Sequence, residues 1–176
     1  MDKQVIRKKM INDRLLCLPK DLYQFNHQIY QKLIRHPYFV DAKTIGIYVS
    51  YKNEVDTHRL IKEYCNQKII ALPKVTGRQM NFYRITSFDE LSKGAYGILE
   101  PKDHTFIQKD DIDLMIVPLV AYDDENHRIG YGGGFYDRYL NDYKGKTIGL
   151  AYKFQKVATI NSEIHDISLD EIITNE

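Results

Sequence analysis

Arg128-Ile129-Gly130-Tyr131-Gly132-Gly133-Gly134-Phe135-Tyr136-Asp137-Arg138-Tyr139-Leu140 is the stretch around which the chain is organised. Four of the ten glycines fall within five positions here. An apolar run, Leu114 to Tyr122, and a polar turn, Asp123 to His127, precede it. Phe135, Tyr136, Tyr139 and Leu140 then recur at helical spacing. The order reads as strand, turn, glycine loop, helix. Glycines let backbone N–H groups come close to an anion, and the start of the helix adds free N–H groups and the positive end of its dipole. Arg128 and Arg138 bracket the loop with cations, and Asp137 supplies a carboxylate oxygen of the kind Mg²⁺ takes. No Lys-Ser or Lys-Thr pair follows Gly134, so this is not a Walker A loop; the dinucleotide fingerprint fails because Phe135 stands where glycine is needed.

Outward from that stretch, 176 residues suffice for one domain, expected to span 1–176, with a real core. The net charge is +1, from 25 basic and 24 acidic residues, so no global field draws the chain to nucleic acid or a membrane. No apolar run approaches the about 20 residues of a spanning helix, and the N-terminus has no apolar signal core. Cys17 and Cys65 are isolated in sequence, which fits a reduced cytoplasm and leaves a single disulfide open. The six histidines show no zinc spacing.

Residues 2–16 read as a helix capped by Asp2, with Val5, Ile6, Met10, Leu15 and Leu16 as its apolar face. Lys3 and Arg7 share a face near its start, where cations oppose the dipole and a bound phosphate would relieve the conflict. A second helix opens at Pro19 and ends at His36-Pro37. Thr44 to Ser50 is a strand buried on both faces; Thr57 is placed to cap the next helix, leaving Glu54 and Asp56 past the carboxyl end of a strand, where open α/β sheets bind ligands. Further strands are expected at Lys68 to Leu72, Met80 to Ile85, Asp113 to Tyr122 (interrupted by Pro118) and Lys146 to Tyr152. Alternating strands and helices from Thr44 onward predict an α/β fold with a mostly parallel sheet flanked by helices.

In their order along the chain, these pieces resemble the 5-formyltetrahydrofolate cyclo-ligase family, also called 5,10-methenyltetrahydrofolate synthetase. They are Lys3-x-x-x-Arg7, Tyr48-Val49-Ser50 with Glu54-Val55-Asp56-Thr57, Leu72-Pro73-Lys74, Gly97-Ile98-Leu99-Glu100-Pro101, Val117-Pro118, the stretch Arg128 to Asp137, and His165-Asp166 with Leu169-Asp170. Leu119, Tyr122 and Asn161 depart from the family's usual residues. The resemblance implies a three-layer α/β/α fold, similar to that of sugar-phosphate isomerases and CoA-transferases. It also implies a cytoplasmic enzyme, monomeric, without nucleic-acid or membrane partners. ATP would phosphorylate the formyl oxygen of 5-formyltetrahydrofolate; N10 would attack the activated carbon, giving 5,10-methenyltetrahydrofolate, ADP and phosphate. Such chemistry needs positioning and charge neutralisation more than a protein nucleophile, and none is identified. By the same resemblance, Lys3, Arg7, Arg128, Gly130, Gly132, Gly133, Gly134, Phe135 and Tyr136 bind ATP; Val49, Glu54, Tyr131 and Phe135 bind the folate; Asp137 and Asp170 hold Mg²⁺.

Two other classes remain open on sequence grounds. A sugar-phosphate isomerase on a related fold would bind phosphate without ATP or metal and use Glu54 as a general base. A nucleic-acid binder would stack bases on the 14 tyrosines, but the balanced charge argues against it.

Overall fold

The computed structural model describes residues 2–102 and 105–176. In chain order the helices are α1 (Lys3–Leu16), α2 (Pro19–Arg35), α3 (Pro37–Asp41), α4 (His58–Tyr64) and α5 (Phe135–Leu140). The strands are β1 (Thr44–Ile47), β2 (Ile69–Thr76), β3 (Gln79–Ile85), β4 (Leu91–Lys93), β5 (Leu99–Pro101), β6 (Phe106–Ile107), β7 (Leu114–Val117), β8 (Ala121–Tyr122), β9 (Arg128–Ile129), β10 (Lys146–Leu150) and β11 (Glu171–Ile173). Among the described residues, seven strands form the main sheet in the order β11-β10-β7-β1-β2-β3-β6. The first five in that order run parallel; β3 pairs antiparallel with β2, and β6 pairs antiparallel with β3. This is the mostly parallel α/β fold expected from the alternating pattern.

Side-chain alternation builds the layers. Leu114 and Ile116 of β7 face a core formed with α2, α3 and α4, while Met115 and Val117 face a second core formed with α5 and Leu169. Central strands buried on both sides therefore read as continuous apolar runs. A third cluster packs Ile6 and Met10 of α1 onto Ala121 and Ile129 of the β8–β9 hairpin, the hairpin that delivers the glycine loop.

Several local expectations change. The buried residues of α1 are Ile6, Met10 and Arg14, whereas Val5, Leu15 and Leu16 are exposed. Asp2 does cap α1, accepting from the Gln4 N–H at 2.9 Å. Thr57 does not cap α4 with its side chain; the Asp56 carboxylate accepts from the N–H groups of His58 and Arg59, both at 3.3 Å. The strand at Ile69 does not stop at Pro73. It continues to Thr76, because pairing with β1 ends at Ala71 and the missing N–H faces an unpaired side. Pro118 ends β7, and Ala121–Tyr122 belongs to the separate hairpin. Both cysteines are free.

Candidate active site

Two loops meet beyond the carboxyl end of β1: the segment 48–57 and the glycine loop 130–134. A reciprocal staple shapes the first. Thr57 Oγ1 donates to the Tyr48 carbonyl at 2.7 Å and accepts from the Ser50 N–H at 2.9 Å, while Ser50 Oγ accepts from the Thr57 N–H at 3.1 Å. Lys52 and Asn53 hold positive φ, 40° and 34°, in the tight turn before Glu54. Glu54 is thereby turned toward the glycine loop. Its Oε2 accepts from the Tyr51 N–H at 2.7 Å and its Oε1 from the Tyr131 hydroxyl at 2.6 Å. Burial pushes the Glu54 carboxyl above its ordinary range, against the pull of Tyr131, the Tyr51 N–H and Arg14.

The second loop needs glycine for its path: Gly132 and Gly134 lie at φ of 100° and 70°. Arginines take its carbonyls. Arg7 Nε donates to the Gly130 carbonyl at 2.7 Å, and Arg138 Nη1 donates to that of Gly133 at 2.8 Å. Among the described residues, the N–H groups of Gly132, Gly133 and Gly134 have no hydrogen-bond partner. The Arg7 guanidinium lies across the loop, 3.6 to 3.8 Å from where a side chain on Gly132 would begin. Free donors and a cation therefore face the same exposed backbone, which is what a phosphate group requires. The helix behind them, α5, has only six residues, so its dipole adds less than the sequence pattern promised.

Other expected site residues are placed as follows. Lys3 is tied to the C-terminal segment, with Nζ 2.5 Å from Asp166 and 3.5 Å from Glu163. Arg128 is buried beneath the loop and donates from Nη2 to Asp137 at 3.0 Å; its Nε has no partner. Burial pulls this guanidinium below its ordinary value, with Asp137 opposing. Phe135 is half-buried under Arg138, whose guanidinium lies 4.9 Å from the ring centre. Tyr136 packs against both cores, and burial pushes its phenol well up. Val49 is 3% exposed and packs in the main core, so its side chain does not face an open cleft.

The two carboxylates expected to hold Mg²⁺, Asp137 and Asp170, each have protein partners. Asp137 Oδ1 accepts from Arg128 and from the Ile167 N–H at 3.1 Å. Asp170 Oδ2 accepts from the N–H and hydroxyl of Thr147, at 2.8 and 3.1 Å, near the amino end of β10. Among the described residues, no group of three or more His, Cys, Asp or Glu side chains is arranged to hold a metal. Asp137 fits a Mg²⁺ that takes most of its oxygens from phosphates and water; Asp170 Oδ2 also fixes two strand ends.

Arg14 is the residue that the sequence reading missed. It donates from Nη2 to the Tyr131 hydroxyl at 2.7 Å, completing an Arg14–Tyr131–Glu54 chain. The spacing Ile6, Met10, Arg14 carried the signal, since steps of four put all three on one helix face.

A mostly parallel sheet with an arginine-covered glycine loop beyond its strand ends is an α/β architecture of the kind that places ligand sites past the carboxyl ends of its strands. The chain belongs to the 5-formyltetrahydrofolate cyclo-ligase family, whose model matches residues 1–175. It is 32% identical over 160 residues to the 5-formyltetrahydrofolate cyclo-ligase of Haemophilus influenzae, covering 84% of this chain and 86% of that one. The NMR structure of Aquifex aeolicus 5,10-methenyltetrahydrofolate synthetase superposes with a TM-score of 0.91 at 34% identity, over all of this chain and 91% of that one. The corresponding synthetase of Mycoplasma pneumoniae gives 0.82 at 29% identity, over the full length of both. No helix among the described residues is long and apolar enough to cross a membrane.

Proposed function

We propose that this enzyme closes 5-formyltetrahydrofolate to 5,10-methenyltetrahydrofolate, consuming ATP and releasing ADP and phosphate. The observation that carries the reading is Arg7 lying across a glycine loop whose Gly132, Gly133 and Gly134 N–H groups have no partner among the described residues, with the half-buried Glu54 carboxylate bonded to the loop's own Tyr131. The loop amides and Arg7 hold the triphosphate; Lys3 joins them by leaving Asp166. Tyr131 and Phe135 pack against the folate rings, and Glu54 accepts hydrogen bonds from the pterin N–H groups. A formamide oxygen is a poor leaving group until phosphorylated, so placing it against the γ-phosphate is the main task. N10 then attacks the formyl carbon, and the oxygen departs with the phosphate. Mg²⁺, when bound, neutralises phosphate charge, with Asp137 as its carboxylate ligand.

The path of that oxygen tests the reading. Substrate labelled with heavy oxygen in the formyl group should transfer its label to the released phosphate. Unlabelled phosphate formed alongside methenyl product would mean the ring closes by another route.

A further inference from the structure

We propose that Arg14 is a positioning residue for folate recognition, acting on Glu54 through the Tyr131 hydroxyl. The inference rests on the cyclo-ligase reading. Arg14 continues the buried Ile6–Met10 stripe of α1 and is only 4% exposed, at a position that packing alone would fill with an apolar residue. A buried guanidinium is costly unless it is paired. Among the described residues, its side chain makes one hydrogen bond, to Tyr131, and its Nε has no partner. Among the described residues no carboxylate pairs with it directly; the nearest acid in its bonded chain is Glu54, one hydroxyl away. The Arg14 guanidinium also stands 5.7 Å from the centre of the Tyr131 ring. Its backbone carbonyl accepts from Asn53 Nδ2 at 3.3 Å, in the turn that presents Glu54. One residue of α1 thus grips both loops of the site.

The electrostatics point the same way. The groups around Glu54 are Arg14 from α1, Tyr131 and Tyr136 from the glycine loop and α5, Tyr48 from the end of β1, and Tyr152 after β10, whose hydroxyl donates to the Glu54 carbonyl at 3.3 Å. Arg14 is the cation of this set. Hydrogen bonds from Tyr131 and the Tyr51 N–H oppose the burial of this carboxylate first, and Arg14 adds the positive charge that favours its ionised, hydrogen-bond-accepting form. A purely structural Arg14 would alter stability without altering how folate binding depends on pH.

The experiment measures Kd and KM for 5-formyltetrahydrofolate and for ATP, across pH, in wild type, Arg14→Met, Arg14→Lys and Tyr131→Phe. Arg14→Met should weaken folate about tenfold and ATP less than about twofold. The acid limb of folate binding should move to higher pH, because losing the cation makes Glu54 easier to protonate. Arg14→Lys should recover part of both changes. Tyr131→Phe alters an exposed side chain and keeps the test decisive if Arg14→Met does not fold; it should shift the same limb in the same direction. Equal weakening of both ligands, or an acid limb that stays in place in Tyr131→Phe, would overturn the role of Arg14. A wild type that neither binds nor turns over 5-formyltetrahydrofolate would instead overturn the cyclo-ligase reading, and Arg14's role with it.

Discussion

Arg128 and Asp137 face each other under the glycine loop, Nη2 to Oδ1 at 3.0 Å, with the Arg128 side chain only 4% exposed. Asp137 thus anchors a buried cation beneath the glycine loop. Asp137→Ala strands the guanidinium and should cost about 3 kcal/mol of unfolding free energy, whereas Arg128→Met removes the buried charge and should cost less. Urea unfolding of both variants checks this. Equal losses would mean the pair contributes no more than its packing.

Among the described residues, Arg7 bonds to the glycine loop and makes no hydrogen bond or ion pair with the Glu54 segment. Arg7→Ala should therefore raise the KM for ATP about tenfold, as loss of a charge-assisted contact does, and change that for folate much less. Steady-state kinetics with each substrate varied in turn decide it. A matching rise for folate would place Arg7 between the two ligands.

Glu54 is held by Tyr51 and Tyr131 with its carboxylate turned into the site. Glu54→Gln keeps the shape and removes the charge, so the folate KM should rise about tenfold with the ATP KM nearly unchanged. An unaltered folate KM would reduce Glu54 to a brace for its own loop.

Asp123 sets the hairpin that carries the loop. Burial would raise its carboxyl, but bonds from the Ile160 N–H, the His127 ring and the N–H groups of His127 and Glu125 outweigh this and hold it below its ordinary value. A depressed folded pKa gives stability that is present above the unfolded value, about 3.9, and lost as pH falls through the folded one. Asp123→Asn should lower stability by about 2 kcal/mol at neutral pH, with the gap narrowing below about pH 4. A gap of constant size down to acid pH would show that the carboxylate's charge plays no part.

Much of this was legible in the chain itself. Continuous apolar runs such as Leu114 to Val117 announced strands buried on both faces, and glycines at 130, 132, 133 and 134 announced a loop that side chains could not follow. Pairing at a distance was not legible. Nothing local to Asp170 says that its carboxylate will meet Thr147, and the strand Glu171–Ile173 is short and takes its shape from β10. Leu15 and Leu16 looked like core because they are apolar, yet α1 is only half covered and turns Arg14 inward, toward a hydroxyl supplied more than a hundred residues later. Thr57 looked like a cap because its type favours capping, but the loop needed its hydroxyl more than the helix did.

The most direct measurement of the central claim follows the methenyl absorbance of purified protein mixed with 5-formyltetrahydrofolate, ATP and Mg²⁺, with each component withheld in turn and with EDTA in one arm. The account predicts a rising signal that requires all three and stops on chelation. A folded protein that produces no signal, or one that produces it without ATP, would contradict it.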